Sequence, residues 1–154
     1  MRIPAVVAIA GGVLLAGCQP ARFNPEDPAA IAAIDSIVQS MVAGALDVNA
    51  AQVLSAAAPD VTFITGDLML TGRETLQASF ARTYEGLARQ DWTVFDRRIR
   101  LVSPDVALVT TVGEGTYTDK AGWTFDPVGI GTTLVFVRED GQWRVRHAHQ
   151  SIAY

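Results

Sequence analysis

Two histidines, His147 and His149, stand two residues apart near the end of the chain, and they are its only histidines. An imidazole titrates near neutral pH, so either ring can act as a general base, a hydrogen-bonding anchor or a metal ligand. Tyr84 and Tyr117 are phenols that could assist such a base, and Glu114 and Asp126 are carboxylates that could complete a metal site, although no spacing selects them. A usual zinc site takes at least three protein ligands, so two histidines predict no metal, and no cofactor motif is present. Three uses of the pair stay open. The rings can be hydrogen-bonded residues at the edge of a core, the commonest fate of such groups. They can be polar anchors of a ligand pocket. Or one of them, with His149 the candidate, can be a general base beside Tyr84 or Tyr117.

The stretch around them reads as a hairpin. Asp140-Gly141 has the chemistry of a two-residue turn, which pairs Glu139 with Gln142. The register then sets Phe136 opposite Val145, Leu134 opposite His147, Thr132 opposite His149 and Ile130 opposite Ser151. Alternation places Trp143, Val145, His147, His149 and Ser151 on one face, and Arg144, Arg146 and Gln150 on the other. The apolar members make the first face the inner one. The expected pocket therefore comprises Tyr84, Ile130, Thr132, Leu134, Phe136, Val145, His147 and His149, and it depends on an unbroken register.

The elements that must hold these side chains follow from periodicity. Asp27 and Pro28 open a first helix as N-cap and first residue, with Ile31, Ile34, Val38, Met41, Val42 and Ala45 on one face. A second helix is predicted over 50–58, capped by Asn49 and stopped by Pro59. Strands are predicted over 61–64 and 68–70, joined by Thr65-Gly66-Asp67. Thr71-Gly72-Arg73-Glu74 then reads as a capping box, opening a third helix that buries Leu76, Phe80, Tyr84 and Leu87. Four long strands follow, over 92–102, 105–118, 123–138 and 142–152, with turn residues between them. Helices first and meandering strands afterwards define an α+β domain.

The N-terminus is different in kind. Arg2 precedes an apolar run over residues 5–16 that is short for a membrane span. It ends in Leu15-Ala16-Gly17-Cys18, which resembles the lipobox of bacterial lipoproteins. That resemblance implies cleavage after Gly17, acylation of Cys18, and membrane attachment through several acyl chains. The expected division is a signal peptide over 1–17, a lipidated tether over 18–27 and a domain over 28–154. Gln19, where aspartate would favour inner-membrane retention, points to the periplasmic side of the outer membrane in the cell envelope. Cys18 is the only cysteine, which leaves none for a disulfide or thiolate site.

Composition bounds the rest. Hydrophobic residues make up 49% of the 154 and charged residues 18%, enough for a packed core. A net charge of −4 without a basic run excludes the electrostatic footprint of a nucleic-acid binder. The cluster Arg97, Arg98 and Arg100 reads as a solvated or ion-paired strand face.

Three local words, in order, carry a family resemblance. They are Asp60-Val61 at a strand entry, Thr71-Gly72-Arg73-Glu74 at a helix start, and Asp140-Gly141-Gln142-Trp143-Arg144-Val145 followed by His147-Ala148-His149-Gln150-Ser151. Over residues 28–152 this resembles the nuclear transport factor 2-like superfamily, whose SnoaL-like cyclases, ketosteroid isomerases and scytalone dehydratases share a cone. The resemblance implies a curved mixed or antiparallel sheet wrapped around three N-terminal helices, an apolar pocket, and a homodimer. It does not imply one function. The catalytic aspartate of the isomerases would fall near Thr65, with Asp67 of opposite parity. Their oxyanion-binding aspartate would fall within 127–133, where there is no carboxylate. The reading that follows is an accessory or binding lipoprotein for a small apolar ligand. The alternatives are a cyclase, isomerase or dehydratase using His149, and a dimerisation module with a filled cone, its outer face carrying Val135 and Val137.

Overall fold

The computed structural model describes residues 23–153; the expected signal peptide and Cys18 lie outside them. In chain order the elements are α1 (Pro28–Leu46), α2 (Ala50–Val53), β1 (Ala57–Thr65), β2 (Leu68–Thr71), α3 (Arg73–Glu85), β3 (Leu87–Ser103), β4 (Val106–Asp119), β5 (Val128–Glu139) and β6 (Gln142–Ala153). The six strands form one sheet in the order β2-β1-β6-β5-β4-β3. Every neighbouring pair is antiparallel except β1 with β6. The fold is thus α+β, with a curved, unclosed mixed sheet around the helices.

Helix α1 begins as its sequence requires: the Asp27 carboxylate accepts from Ala29 N at 3.0 Å, with Pro28 behind it. It is long and apolar enough to cross a membrane by length and composition, with mean hydropathy 1.6. Yet Ala30, Ile34 and Val38 are buried in the domain core, packed with Leu101, Phe136 and Trp143 among others. Phe136, Ile34, Leu76, Val61 and Val109 are the largest wholly enclosed side chains.

Four boundaries differ from the sequence expectation, three of them because a strand pairing outcompetes local preference. Helix α2 stops at Val53, well short of 58. Ala57 and Ala58 instead enter β1, drawn to β6 by Val145 N donating to Ala56 O at 2.9 Å. Pro59, which has no N–H to offer, falls in the irregularity between the Ala57–Val145 and Thr62–His147 pairs. Thr71 does not cap α3. It pairs with Thr62 at the end of β2, and Gly72 takes the cap position at φ 90°, a conformation that favours glycine.

Leu87, expected on α3, begins β3 instead. The helix ends at Gly86 and the next residues pair with the far end of β4, Leu87 with Asp119 and Gln90 with Tyr117. Strand β5 starts at Val128, later than expected. The Asp119 carboxylate holds the preceding loop by accepting from Ala121 N and Trp123 N, both at 2.9 Å. Of these shifts, the early start of β3 lengthens the sheet at the end where the helices leave space.

Candidate functional site

The narrow end of the cone is filled by Phe136, Trp143, Leu101 and the N-terminal half of α1. The wide end is open. A cavity of about 880 Å³ lies between the C-terminal half of α1 (Met41, Val42, Ala45), α3 (Ser79, Phe80, Thr83, Tyr84) and the inner faces of β3 to β6. That volume suits a drug-sized or smaller organic molecule. Exposed Leu68, Val94, Phe125 and Asp126 belong to its lining and mark the mouth.

The hairpin that was to deliver two histidines to this space delivers other residues. Asp140 and Gly141 both adopt positive φ, 50° and 77°, and Glu139 pairs with Gln142 as expected of the turn. Phe136 is opposite Val145. The next pair is Val135 with His147, so Arg146 is an extra residue and a β-bulge. Arg146 is held there by ion pairs to Asp60, at 2.8 Å, and to Glu139.

Beyond the bulge the parity of β6 is reversed. Leu134 meets Ala148, Thr132 meets Gln150 and Ile130 meets Ile152. Ala148, Gln150 and Ile152 line the cavity. His147 and His149 stand on the outer face, opposite Val135 and Thr133 of β5 and Thr62 and Ile64 of β1. This corrects the expected register. A one-residue slip moves every later side chain to the other face of the sheet.

Of the expected pocket residues, Tyr84, Thr132, Leu134 and Val145 line the cavity. Phe136 is wholly enclosed in the core and Ile130 is buried on the inner face, neither forming the cavity wall. His149 is exposed and separated by the sheet from Tyr84 and Tyr117, so the proposed pairing of base and phenol is not made. Among the described residues, no three of His, Cys, Asp and Glu are grouped so as to hold a metal ion. Thr65, at the place of the isomerase aspartate, does face the cavity, while Asp67 is exposed in the turn after it.

The polar groups that do face inward are mostly neutral. Asp126, at the mouth, is the one charged residue among the described lining residues. Deeper, three side chains form a cluster. Trp92 Nε1 donates to Gln90 Oε1 at 3.2 Å, and Gln90 is 3% exposed. An indole nitrogen only donates, so this bond orients the amide with its oxygen toward Trp92 and its nitrogen away. Gln90 Nε2 has no partner with full hydrogen-bond geometry among the described residues.

Tyr84 lies next to that amide. Burial pushes its phenol above the ordinary value of 10.0, while the Gln90 side chain acts more weakly in the opposite direction. Tyr84 is therefore a neutral hydroxyl at physiological pH, able to donate but not to act as a base.

Gln90 was missed by sequence reasoning because residues 87–91 continue the helical spacing of α3. Once β3 is known to start at Leu87, Gln90 shares the parity of Trp92 and the inner face. Trp92 and Tyr117 line the cavity and meet edge to face at 6.5 Å, whereas Trp123 is exposed outside it. Arg97 bonds Asp35 of α1 at 2.7 Å, and Arg98 bonds Asp96 at 3.0 Å, so ion pairing accounts for two of the three clustered arginines.

A curved mixed sheet around three helices, with an open apolar cavity at its wide end, defines a cone-shaped α+β fold. The chain belongs to the SnoaL-like domain family, whose pattern matches residues 15–154. Solved structures agree. An NTF2-like protein of unknown function from Pseudomonas putida superposes with a TM-score of 0.71 at 17% identity, over 81% of this chain and 87% of that one. A ketosteroid isomerase-like protein from Erwinia carotovora gives 0.68 at 18% identity, over 80% and 95%. A hexachlorocyclohexane dehydrochlorinase from Novosphingobium barchaimii gives 0.73 at 15% identity, over 82% and 88%. At such identities the likeness concerns the fold. None of the curated proteins compared with the chain matches it significantly.

Proposed function

We propose that the chain is an envelope-anchored lipoprotein whose SnoaL-like domain binds a small, mostly apolar ligand in the cone. The observation that carries this reading is the cavity of about 880 Å³, walled largely by aliphatic and aromatic side chains and left open by the core. Burying apolar surface of a ligand there is favourable at roughly 25 cal/mol per Å² before the costs of association. Among the described lining residues there is no histidine, and the one carboxylate, Asp126, is at the mouth. Binding therefore accounts for the site better than His149-based acid–base catalysis.

The test is titration with N-phenylnaphthylamine, a neutral fluorophore that brightens in apolar surroundings. The wild-type domain should bind it with one site per chain. Val42→Trp, which narrows the space from α1, should weaken binding while leaving the far-UV circular dichroism unchanged. Equal binding by both proteins would remove the cavity from the account.

The anchor rests on Leu15-Ala16-Gly17-Cys18. Metabolic labelling with a palmitate analogue should mark the wild-type chain and not Cys18→Ser; an unlabelled wild-type chain would refute the anchor.

The outer sheet face supports a second element of the reading, a homodimer. Val112 there is 52% exposed, on the face where Leu108 pairs with Val135, and Met69, 66% exposed, pairs with Ile64 toward the β2 edge. Sedimentation should give a dimer that Val112→Glu converts to monomer. A wild-type monomer at tens of micromolar would exclude it.

A further inference from the structure

Ten large hydrophobic side chains are exposed among the described residues, and half of them gather at one place. Leu68, Val94 and Phe125 stand at the mouth of the cavity. Leu46, next to the lining residue Ala45, ends α1. Trp123 precedes Phe125 by two positions and is 68% exposed without forming any cavity wall.

The loop that carries Trp123 and Phe125 is held by its own ladder. Asp119 N donates to Trp123 O and Phe125 N to Tyr117 O, both at 2.9 Å, and Thr118 bridges Thr124 between them. Phe125 thus lies across from Tyr117, a cavity residue, and alternation sets Trp123 on the same side, one pair further out. The two rings form a lip fixed toward solvent. Apolar side chains gathered and exposed in this way mark a surface that a partner covers.

Charge and the proposed anchor select that partner. Asp67, Lys120 and Asp126 flank the lip in sequence and leave it without an excess of positive charge. A tryptophan and a phenylalanine presented on a turn suit the boundary between headgroups and acyl chains. The tether brings that boundary within reach. Cys18 is ten positions before Pro28, a stretch that extends to about 30 Å with the turn from Asn24 to Asp27 kept. Helix α1, with its 19 residues, is about 28 Å long. An acyl group on Cys18 can therefore lie level with either end of α1, and the lip favours the wide end.

We infer that the lip of Trp123 and Phe125 enters the headgroup boundary of the bilayer that holds Cys18, so that the cavity mouth opens onto lipid. The inference rests on the anchoring reading and adds the orientation of the domain on the membrane.

Trp123 reports its own position, because Trp92 lines the cavity and Trp143 is buried. The test places the lipidated chain in phosphatidylcholine vesicles whose acyl chains carry bromine near the glycerol end, where it quenches an indole on contact. Wild-type emission should be quenched. Trp123→Phe removes the reporter and keeps an apolar ring, and its remaining emission should be spared. Phe125→Asp, which puts a charge into the lip, should abolish the quenching of Trp123. High salt should leave wild-type quenching unchanged, since no cationic surface contributes.

A palmitate-labelled chain whose Trp123 stays unquenched would overturn the inference and leave the anchor standing; a protein partner would then be the cover. Quenching undiminished in Trp123→Phe, or lost in high salt, overturns it as well. Should Phe125→Asp fail to fold, the comparison of wild type with Trp123→Phe decides alone. If the wild type carries no palmitate label, the anchoring reading fails, and this inference with it.

Discussion

Val135 of β5 stands opposite His147 of β6, where an unbroken hairpin would have set it opposite Arg146. The single extra residue decides which side chains of the last strand reach the cavity. Ala148, Gln150 and Ile152 replace His147 and His149 there.

His149→Ala should accordingly leave N-phenylnaphthylamine affinity within about twofold of wild type, because no contact with the cavity is lost. Gln150→Trp, on the inner face, should weaken binding at least about tenfold by occupying the space, a loss of about 1.4 kcal/mol. Fluorescence titration reads both. The reverse order of effects would mean that the bulge is absent in solution.

The bulge itself should depend on Arg146, which joins Asp60 of β1 to Glu139 of β5. These groups are about one-third to two-thirds exposed, so solvent screening leaves each pair worth at most about 1 kcal/mol. Arg146→Ala should lower unfolding free energy in urea by about 1 kcal/mol, with the effect shrinking in high salt. A loss that salt does not touch would assign the role to packing of the side-chain stem instead.

Tyr84 makes stability depend on pH at the alkaline end. Its phenol is raised above 10.0 by burial, so the folded protein keeps this proton at pH values where the unfolded chain has released it. The folded state then binds more protons, and stability falls as pH rises beyond about 10. Urea unfolding at successive pH values above 9 should show the decline, and Tyr84→Phe should make it shallower. Parallel curves for the two proteins would show that Tyr84 ionises in the folded state as freely as in the unfolded one.

Gly44 is buried where α1 passes over α2, and a methyl group on it would sit 2.8 Å from Val53 N and 2.9 Å from Gln52 Cβ. Ordinary helix propensity would make Gly44→Ala stabilising. The contact with backbone reverses the sign, and a loss of about 1–3 kcal/mol is expected from overpacking. Thermal unfolding at neutral pH decides between the two.

The α+β class, the order of elements and the family were legible because each has a local signature. Asp27-Pro28 opens a helix by supplying a cap and a fixed φ. Asn49 caps α2, its side chain accepting from Gln52 N at 3.1 Å. Asp140-Gly141 makes its turn because both residues tolerate positive φ. The apolar face of α1 and the inner residues Leu134, Phe136 and Val145 were equally readable, since burial follows periodicity wherever the register is regular.

The site was legible only in part, and the reason is geometric. Residues 87–91 are locally compatible with a helix, and nothing short of their pairing with β4 puts Gln90 beside Tyr117 and Trp92 on the inner face. The bulge at Arg146 has no signature in its own hairpin, because the partners that hold it are Asp60, far away on β1, and Glu139. The sequence by itself determined the elements, their turns and the apolar surface that must be enclosed, all of which depend on neighbours within a few positions. Only the tertiary structure decided which face His147, His149, Gln90 and Gln150 present, since strand parity changes with one unpaired residue and that residue is set by long-range contacts.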